Sequence, residues 1–208
     1  MRPSALGRGR GARLTGKETK IVPPGAHSTL TLPLAIQAEI IAHAREGWPD
    51  EVCGILSGKA GVAASLVRAR NVAEDRRINY TVDPQTLLRQ FDFEDAGEEL
   101  IAIYHSHPSS PAYPSATDAQ LATYPDAVYL ICSLQSREAP VVRGYRLIAQ
   151  PYDGRASDYP LRPVRGRADF WAYQHPAPDA FYMLQLKPAL GAAVLRQVRI
   201  EEVALLTG

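Results

Sequence analysis

Residues 104–118 read Tyr-His-Ser-His-Pro-Ser-Ser-Pro-Ala-Tyr-Pro-Ser-Ala-Thr-Asp, and they hold the side chains from which a hydrolytic metal centre can be made. His105 and His107 are one residue apart, so on a strand both imidazoles face the same side. Asp118 adds a carboxylate. Two neutral imidazoles and one carboxylate form a three-ligand set for a divalent cation, and zinc suits these donors best. Its fourth position is then left to water, as in catalytic rather than structural sites. Each fragment also has an ordinary role. A His-x-His pair alone is common on half-exposed strands. Ser115 with Asp118 is the pattern of a helix N-terminal cap, and Pro108, Pro111 and Pro114 punctuate a loop. Capping and ligation are compatible, because a cap that fixes the turn also aims the carboxylate.

The run His105-Ser106-His107-Pro108, six residues, Ser115, two residues, Asp118 resembles without a gap the signature of the JAMM (MPN+) metalloproteases. The resemblance covers roughly residues 28–148. It extends upstream to Glu51, which stands where that family has a glutamate at the start of a buried strand, here Val52-Cys53-Gly54-Ile55-Leu56. The resemblance implies that His105, His107 and Asp118 hold Zn²⁺. It further implies that Glu51 relays a proton from the attacking water to the leaving amine, and that Ser115 donates to the oxyanion.

Within the family the chain looks like the bacterial peptidases that process ubiquitin-like sulphur-carrier proteins in sulphur or cysteine metabolism. The implied reaction is hydrolysis of a peptide or isopeptide bond at the C-terminal tail of such a carrier. The implied partner ends in Gly-Gly and adds as an extended strand beside the site. Ten residues separate Asp118 from Tyr129, which leaves no room for the long insertion by which eukaryotic deubiquitinases grip ubiquitin. Two other readings stay open. One is a non-catalytic interaction module of the MPN type, although such modules usually lack parts of a motif that this chain holds whole. The other is a zinc amidohydrolase acting on unrelated peptides. A homodimer is compatible with the resemblance.

The elements that must position these residues follow from pattern. Thr29-Leu30-Thr31-Leu32 is a short alternating strand, and Pro33 suits the first turn of a helix. Leu34, Ala38, Ile41 and Arg45 recur at helical spacing, with Ile40 and Ala44 alongside, until Gly47 and Pro49 stop the helix. Val52 to Leu56 reads as a buried strand, and Ala63 to Ala69 as its antiparallel partner across a turn at Gly58-Lys59-Ala60-Gly61. Tyr80-Thr81-Val82 suggests a further strand bordering the substrate groove. Asp83-Pro84 starts a helix whose inward face is Leu87, Leu88 and Phe91. Leu100 to His107 carries the histidines and turns Tyr104 away from them into packing. Ser115 opens a helix to about Thr123, and Val128 to Leu134 and Val141 to Leu147 are strands.

Interspersed helices and strands with mostly antiparallel links predict an α+β (mixed α/β) fold. By the resemblance this is a JAMM/MPN-like, cytidine-deaminase-like central mixed sheet flanked by helices. Residues 28–150 form the expected catalytic domain, and residues 1–27, basic and rich in Gly and Pro, an expected disordered arm. Residues 151–208 form an extension, irregular over 151–180. Over 181–206 it reads equally as a helix through Leu190, Val194, Val198 and Leu205 or as a strand alternating at Val198-Arg199-Ile200-Glu201. Cys53, two residues past Glu51 and on its strand face, and Cys132 are expected as buried thiols; His43 is expected at a boundary and His175 in a loop.

A net charge of +1 over 208 residues gives no general attraction to nucleic acid or to acidic membranes. The Arg-rich start has no apolar stretch behind it and so is not a secretory signal, and no uncharged run is long enough to span a bilayer. A cytoplasmic location is therefore expected.

Overall fold

Runs of branched and aromatic apolar residues build the sheet of this chain, and its central strands, Cys53–Lys59, Glu99–His107 and Val128–Ser133, are buried along nearly their whole length. The computed structural model describes residues 29–152, 154–176 and 179–208; the arm expected over residues 1–27 lies outside the described residues. In chain order the elements are β1 (Thr29–Thr31), α1 (Leu34–Gly47), β2 (Cys53–Lys59), β3 (Val62–Ala69), α2 (Pro84–Leu88), α3 (Gln90–Asp95) and β4 (Glu99–His107). They continue with α4 (Ala116–Leu121), β5 (Val128–Ser133), β6 (Val141–Pro151), β7 (Arg162–Pro163), β8 (Phe170–Pro176), β9 (Asp179–Lys187) and β10 (Ala192–Leu206).

Among the described residues these strands form one sheet in the order β1-β3-β2-β4-β5-β6-β10-β9-β8-β7, and β1 also pairs with β10. The sheet is mixed. β4 runs parallel to β5, β1 is parallel to both neighbours, and the remaining pairs are antiparallel. The fold is thus α+β. The β2–β3 hairpin closes through Ala60 and Gly61, both at positive φ (51° and 79°), the geometry that lets a two-residue loop follow the twist of its strands.

The sheet buries both faces. One core gathers Ile40 and Ala44 of α1 against Leu56, Tyr104, Leu130 and Val203. The other gathers Cys53, Ile103, Ile131 and Tyr145 against Phe93 of α3, Ala119 of α4, and Phe170, Phe181 and Met183 of β8 and β9. His105 and His107 continue the Ile103 face of β4, so they belong to this second side. Among the described residues no helix is long and apolar enough to cross a membrane.

Several expectations change in the folded chain. The inward stripe of α1 is Ile36, Ile40 and Ala44 with Ile41, whereas Leu34 is 61% exposed and Ala38 faces solvent. Apolar residues nearly encircle this helix, so periodicity alone does not choose a face. Pro33 is the residue before the helix rather than part of its first turn. Tyr80–Val82 is not a strand but an isolated bridge, Val82 to Asn71. The helix after Asp83 breaks at Arg89, which ends α2 and begins α3. That break resets the period, so Phe93 turns inward while Leu88 and Phe91 are exposed. In the extension, β9 and β10 carry residues 181–187 and 192–206 as strand, joined by a 3-10 turn at Pro188–Leu190 rather than forming one helix. Residues 170–176, expected to be irregular, form β8, which holds His175.

Candidate metal centre

β4 lies between β2 and β5, with His105 in register with Cys53 on one side and Ile131 on the other. This places His105 between two paired strands, while His107, two residues on, is in register with Ser133 of β5 beyond the end of the β2 ladder. Ser106 points to the opposite face and ties down the entrance of β2. The Val52 amide donates to its Oγ at 2.9 Å, and its own amide donates to the Val52 carbonyl at 2.9 Å.

Glu51, one residue upstream, is held by its backbone. Its amide donates to the Arg76 carbonyl at 2.6 Å, and its carbonyl accepts from Asn71 Nδ2 at 2.8 Å. Asn71 also donates to the Asn79 carbonyl and accepts from the amides of Ala73 and Thr81. One buried amide side chain thus binds the loop carrying Tyr80 to the strand entrance carrying Glu51. Sequence reasoning passed over Asn71, because nothing near it in the chain marks an asparagine whose partners lie up to 20 residues away.

Asp118 sits in a reciprocal cap at the start of α4. Its amide donates to Ser115 Oγ at 3.1 Å, and the Ser115 amide donates to its Oδ2 at 2.7 Å. The carboxylate is aimed by that cap at the two rings. His105 Nε2 is 3.4 Å from Oδ1, His107 Nε2 is 3.4 Å from Oδ2, and the two Nε2 atoms are 3.0 Å apart. Cap and convergence are properties of the same residue.

His107 Nδ1 donates to the Pro111 carbonyl at 2.8 Å, so the Nε2 lone pair faces the cluster. His105 is oriented differently. Its Nδ1 has no hydrogen-bond partner among the described residues, and its ring stacks on Tyr80 at a centroid distance of 4.1 Å. Tyr80 is the buried platform under a histidine, and with Thr81 and Val82 it also lines a neighbouring cleft, while Asn79 lines the cleft of Glu51.

His105, His107, Asp118 and Glu51 are all buried, the last with only 6% of its surface exposed. Burial pushes the Glu51 carboxyl up to about 8, and the nearby Asp118 charge adds to the shift. Burial also lowers His105. For Asp118 burial acts upward, but the charge and hydrogen bonds of the two imidazoles outweigh it and hold the carboxyl well below the usual range. Its partner His107 is displaced upward against burial by the hydrogen bond to Asp118.

The donor set fits a divalent cation. One ligand atom from each of His105, His107 and Asp118 lies within 4.8 Å of the others, and Glu51 Oε2 is a buried carboxylate oxygen with no hydrogen-bond partner among the described residues. Glu51, His107 and Ser115 line one open cleft of about 390 Å³. Cys53 is not on that cleft. It packs in the apolar core with its thiol pushed up to about 12 by burial, inert as a nucleophile. Tyr104 faces the other core, where its hydroxyl meets His43 Nδ1 at 2.7 Å. Gly54 permits that packing, since a Cβ there would stand 2.3 Å from the Tyr104 ring.

Residues 33–148 match the family described as prokaryotic homologs of the JAB domain. The chain is 40% identical over 117 residues to the desampylase of Haloferax volcanii, spanning 53% of this chain and 84% of that protein. It is 37% identical over 140 residues to the CysO-cysteine peptidase of Mycobacterium tuberculosis, spanning 63% and 91%. A protein of Desulfitobacterium hafniense solved in solution superposes with a TM-score of 0.52 at 32% identity, over 57% of this chain and 84% of that one.

Proposed function

Because the chain belongs to the family of prokaryotic homologs of the JAB domain, we propose that it is a zinc-dependent peptidase. Its substrate in this reading is the C-terminal tail of a ubiquitin-like sulphur-carrier protein, cleaved at a peptide or isopeptide bond in the cytoplasm. The observation that carries the proposal is the meeting of His105, His107 and Asp118 at one point, with the unpartnered Glu51 carboxyl in the adjoining cleft. A relative that is a peptidase by name supports the hydrolytic reading.

In this proposal His105, His107 and Asp118 would hold zinc, which would supply the Lewis acidity that makes water a nucleophile near neutral pH. Glu51 stays outside the ligand set, where its carboxylate takes a proton from the attacking water and returns it to the leaving amine. Its position on a cleft wall, with backbone clamped on both sides, suits that shuttle. The Ser115 hydroxyl already accepts from the Asp118 amide, so its own hydrogen is free to donate to the oxyanion. The cleft is open at the surface and takes an extended tail ending in Gly-Gly, the slimmest backbone a protein can offer.

The test combines metal analysis with hydrolysis of candidate carriers, their products weighed by mass spectrometry. The purified protein is expected to carry about one zinc. Glu51→Gln keeps that zinc and loses about a hundredfold or more in turnover, whereas Asp118→Ala loses both. Retained turnover in Glu51→Gln removes the proton relay. Unchanged zinc affinity in Asp118→Ala reduces that carboxylate to a cap.

A further inference from the structure

The family match ends at residue 148, but the chain continues into strands that reach back to the site's own loop. Residues 108–114 join His107 to the Ser115 cap, and this loop is held at three points. Ser133 Oγ donates to the Ser110 carbonyl at 2.6 Å, and the Tyr145 hydroxyl donates to the Ala112 carbonyl at 2.6 Å. The third anchor comes from the extension. The Tyr113 hydroxyl lies 2.6 Å from each carboxylate oxygen of Asp179, at the start of β9, and accepts from Gln174 Nε2 of β8 at 2.8 Å. Gln174 Nε2 also lies 3.3 Å from Asp179 Oδ1, so the three side chains form a closed triangle.

This contact leads to a ligand atom in two steps. The Tyr113 amide donates to the Pro111 carbonyl at 2.8 Å, and His107 Nδ1 donates to the same oxygen at 2.8 Å. A carbonyl can only accept, so it keeps the His107 proton on Nδ1 and leaves the Nε2 lone pair toward His105 and Asp118. Wherever Tyr113 sits, that carbonyl sits. The Tyr113 ring is fixed as well, edge-on to Tyr145 at 5.6 Å. The same extension docks on α4, where Gln120 donates to Gln185 at 3.1 Å, and it sends Val164 and Arg165 to the cleft that Glu51 and Ser115 line.

We infer that Asp179 and Gln174 are positioning residues of the metal centre: they anchor Tyr113, and Tyr113 holds the Pro111 carbonyl that orients His107. The inference rests on the zinc reading above and adds a role for a segment beyond the family match.

The test uses the full-length chain with Tyr113→Phe, Asp179→Ala, the conservative Asp179→Asn, and the Tyr113→Phe/Asp179→Ala double variant. Two quantities are read: zinc affinity by competition with a chromophoric chelator, and amide exchange of residues 108–114 in zinc-free protein. Tyr113→Phe and Asp179→Ala are each expected to weaken zinc binding about tenfold and to speed exchange at the Tyr113 amide about tenfold. The double variant is expected to match the worse single, and Asp179→Asn, which keeps an accepting oxygen, to recover most of the loss. Wild-type zinc affinity and wild-type exchange in Tyr113→Phe overturn the inference while leaving the zinc reading intact, and so do additive losses in the double variant. A wild type that takes up no zinc overturns the zinc reading, and the anchoring of Tyr113 then stands or falls on the exchange data alone.

Discussion

Glu51 is a carboxyl placed where the folded chain disfavours its charge. Burial first, and then the neighbouring Asp118, raise it from an ordinary 4.5 to about 8. A carboxyl whose folded value exceeds its unfolded one favours folding fully below about 4.5, and that contribution is lost as pH rises through about 8. In zinc-free protein, therefore, the wild type should lose stability between pH 5 and pH 9 relative to Glu51→Gln, whose amide does not titrate. The linkage is worth up to roughly 4 kcal/mol. Urea unfolding of both proteins at the two pH values measures it, and parallel profiles would show that Glu51 is not desolvated.

At the scale of elements, the site is a strand end, a cap and a clamp. The strand end and the cap are local. Two-residue alternation put His105 and His107 on one side of β4, and the Ser115–Asp118 cap forms within one turn, so both could be read from consecutive residues. The clamp is not local. Asn71 bridges the Glu51 and Asn79 carbonyls and the Ala73 and Thr81 amides, and only the folded chain brings these together. Asn71→Ala strands several buried backbone groups and should cost about 3 kcal/mol in denaturant unfolding, with a fall in turnover as Glu51 and Tyr80 loosen together. A stable variant with full activity would show that the clamp is dispensable. The break at Arg89 shows the converse limit: helical periodicity named Phe91, but it could not register a change of helix, after which Phe93 is the buried ring.

At the scale of the whole molecule, the extension is part of the sheet and not an appendage to it. β10 runs along β6 and β9 and caps β1. It sends Val198 and Ile200 into the core on the side of His105 and His107 and Val203 into the opposite core. Ending the chain at residue 150 would open the β6 edge and withdraw Phe170, Phe181 and Met183 from that core. We expect the shortened chain to lose its cooperative thermal transition and to aggregate, as seen by circular dichroism and size-exclusion chromatography. A sharp transition within about 5 °C of the full-length protein would overturn that expectation.

The candidate site was determined by residues close in sequence, because strand alternation and a one-turn cap translate spacing directly into direction. His105, His107 and Asp118 converge for that reason. What lies under and around them was decided only by tertiary structure. Tyr80 came to rest beneath His105, Asn71 across two loops, and Asp179 against Tyr113 from 66 residues away. Contacts of that reach depend on which strands become neighbours in the sheet, and no local period encodes that order.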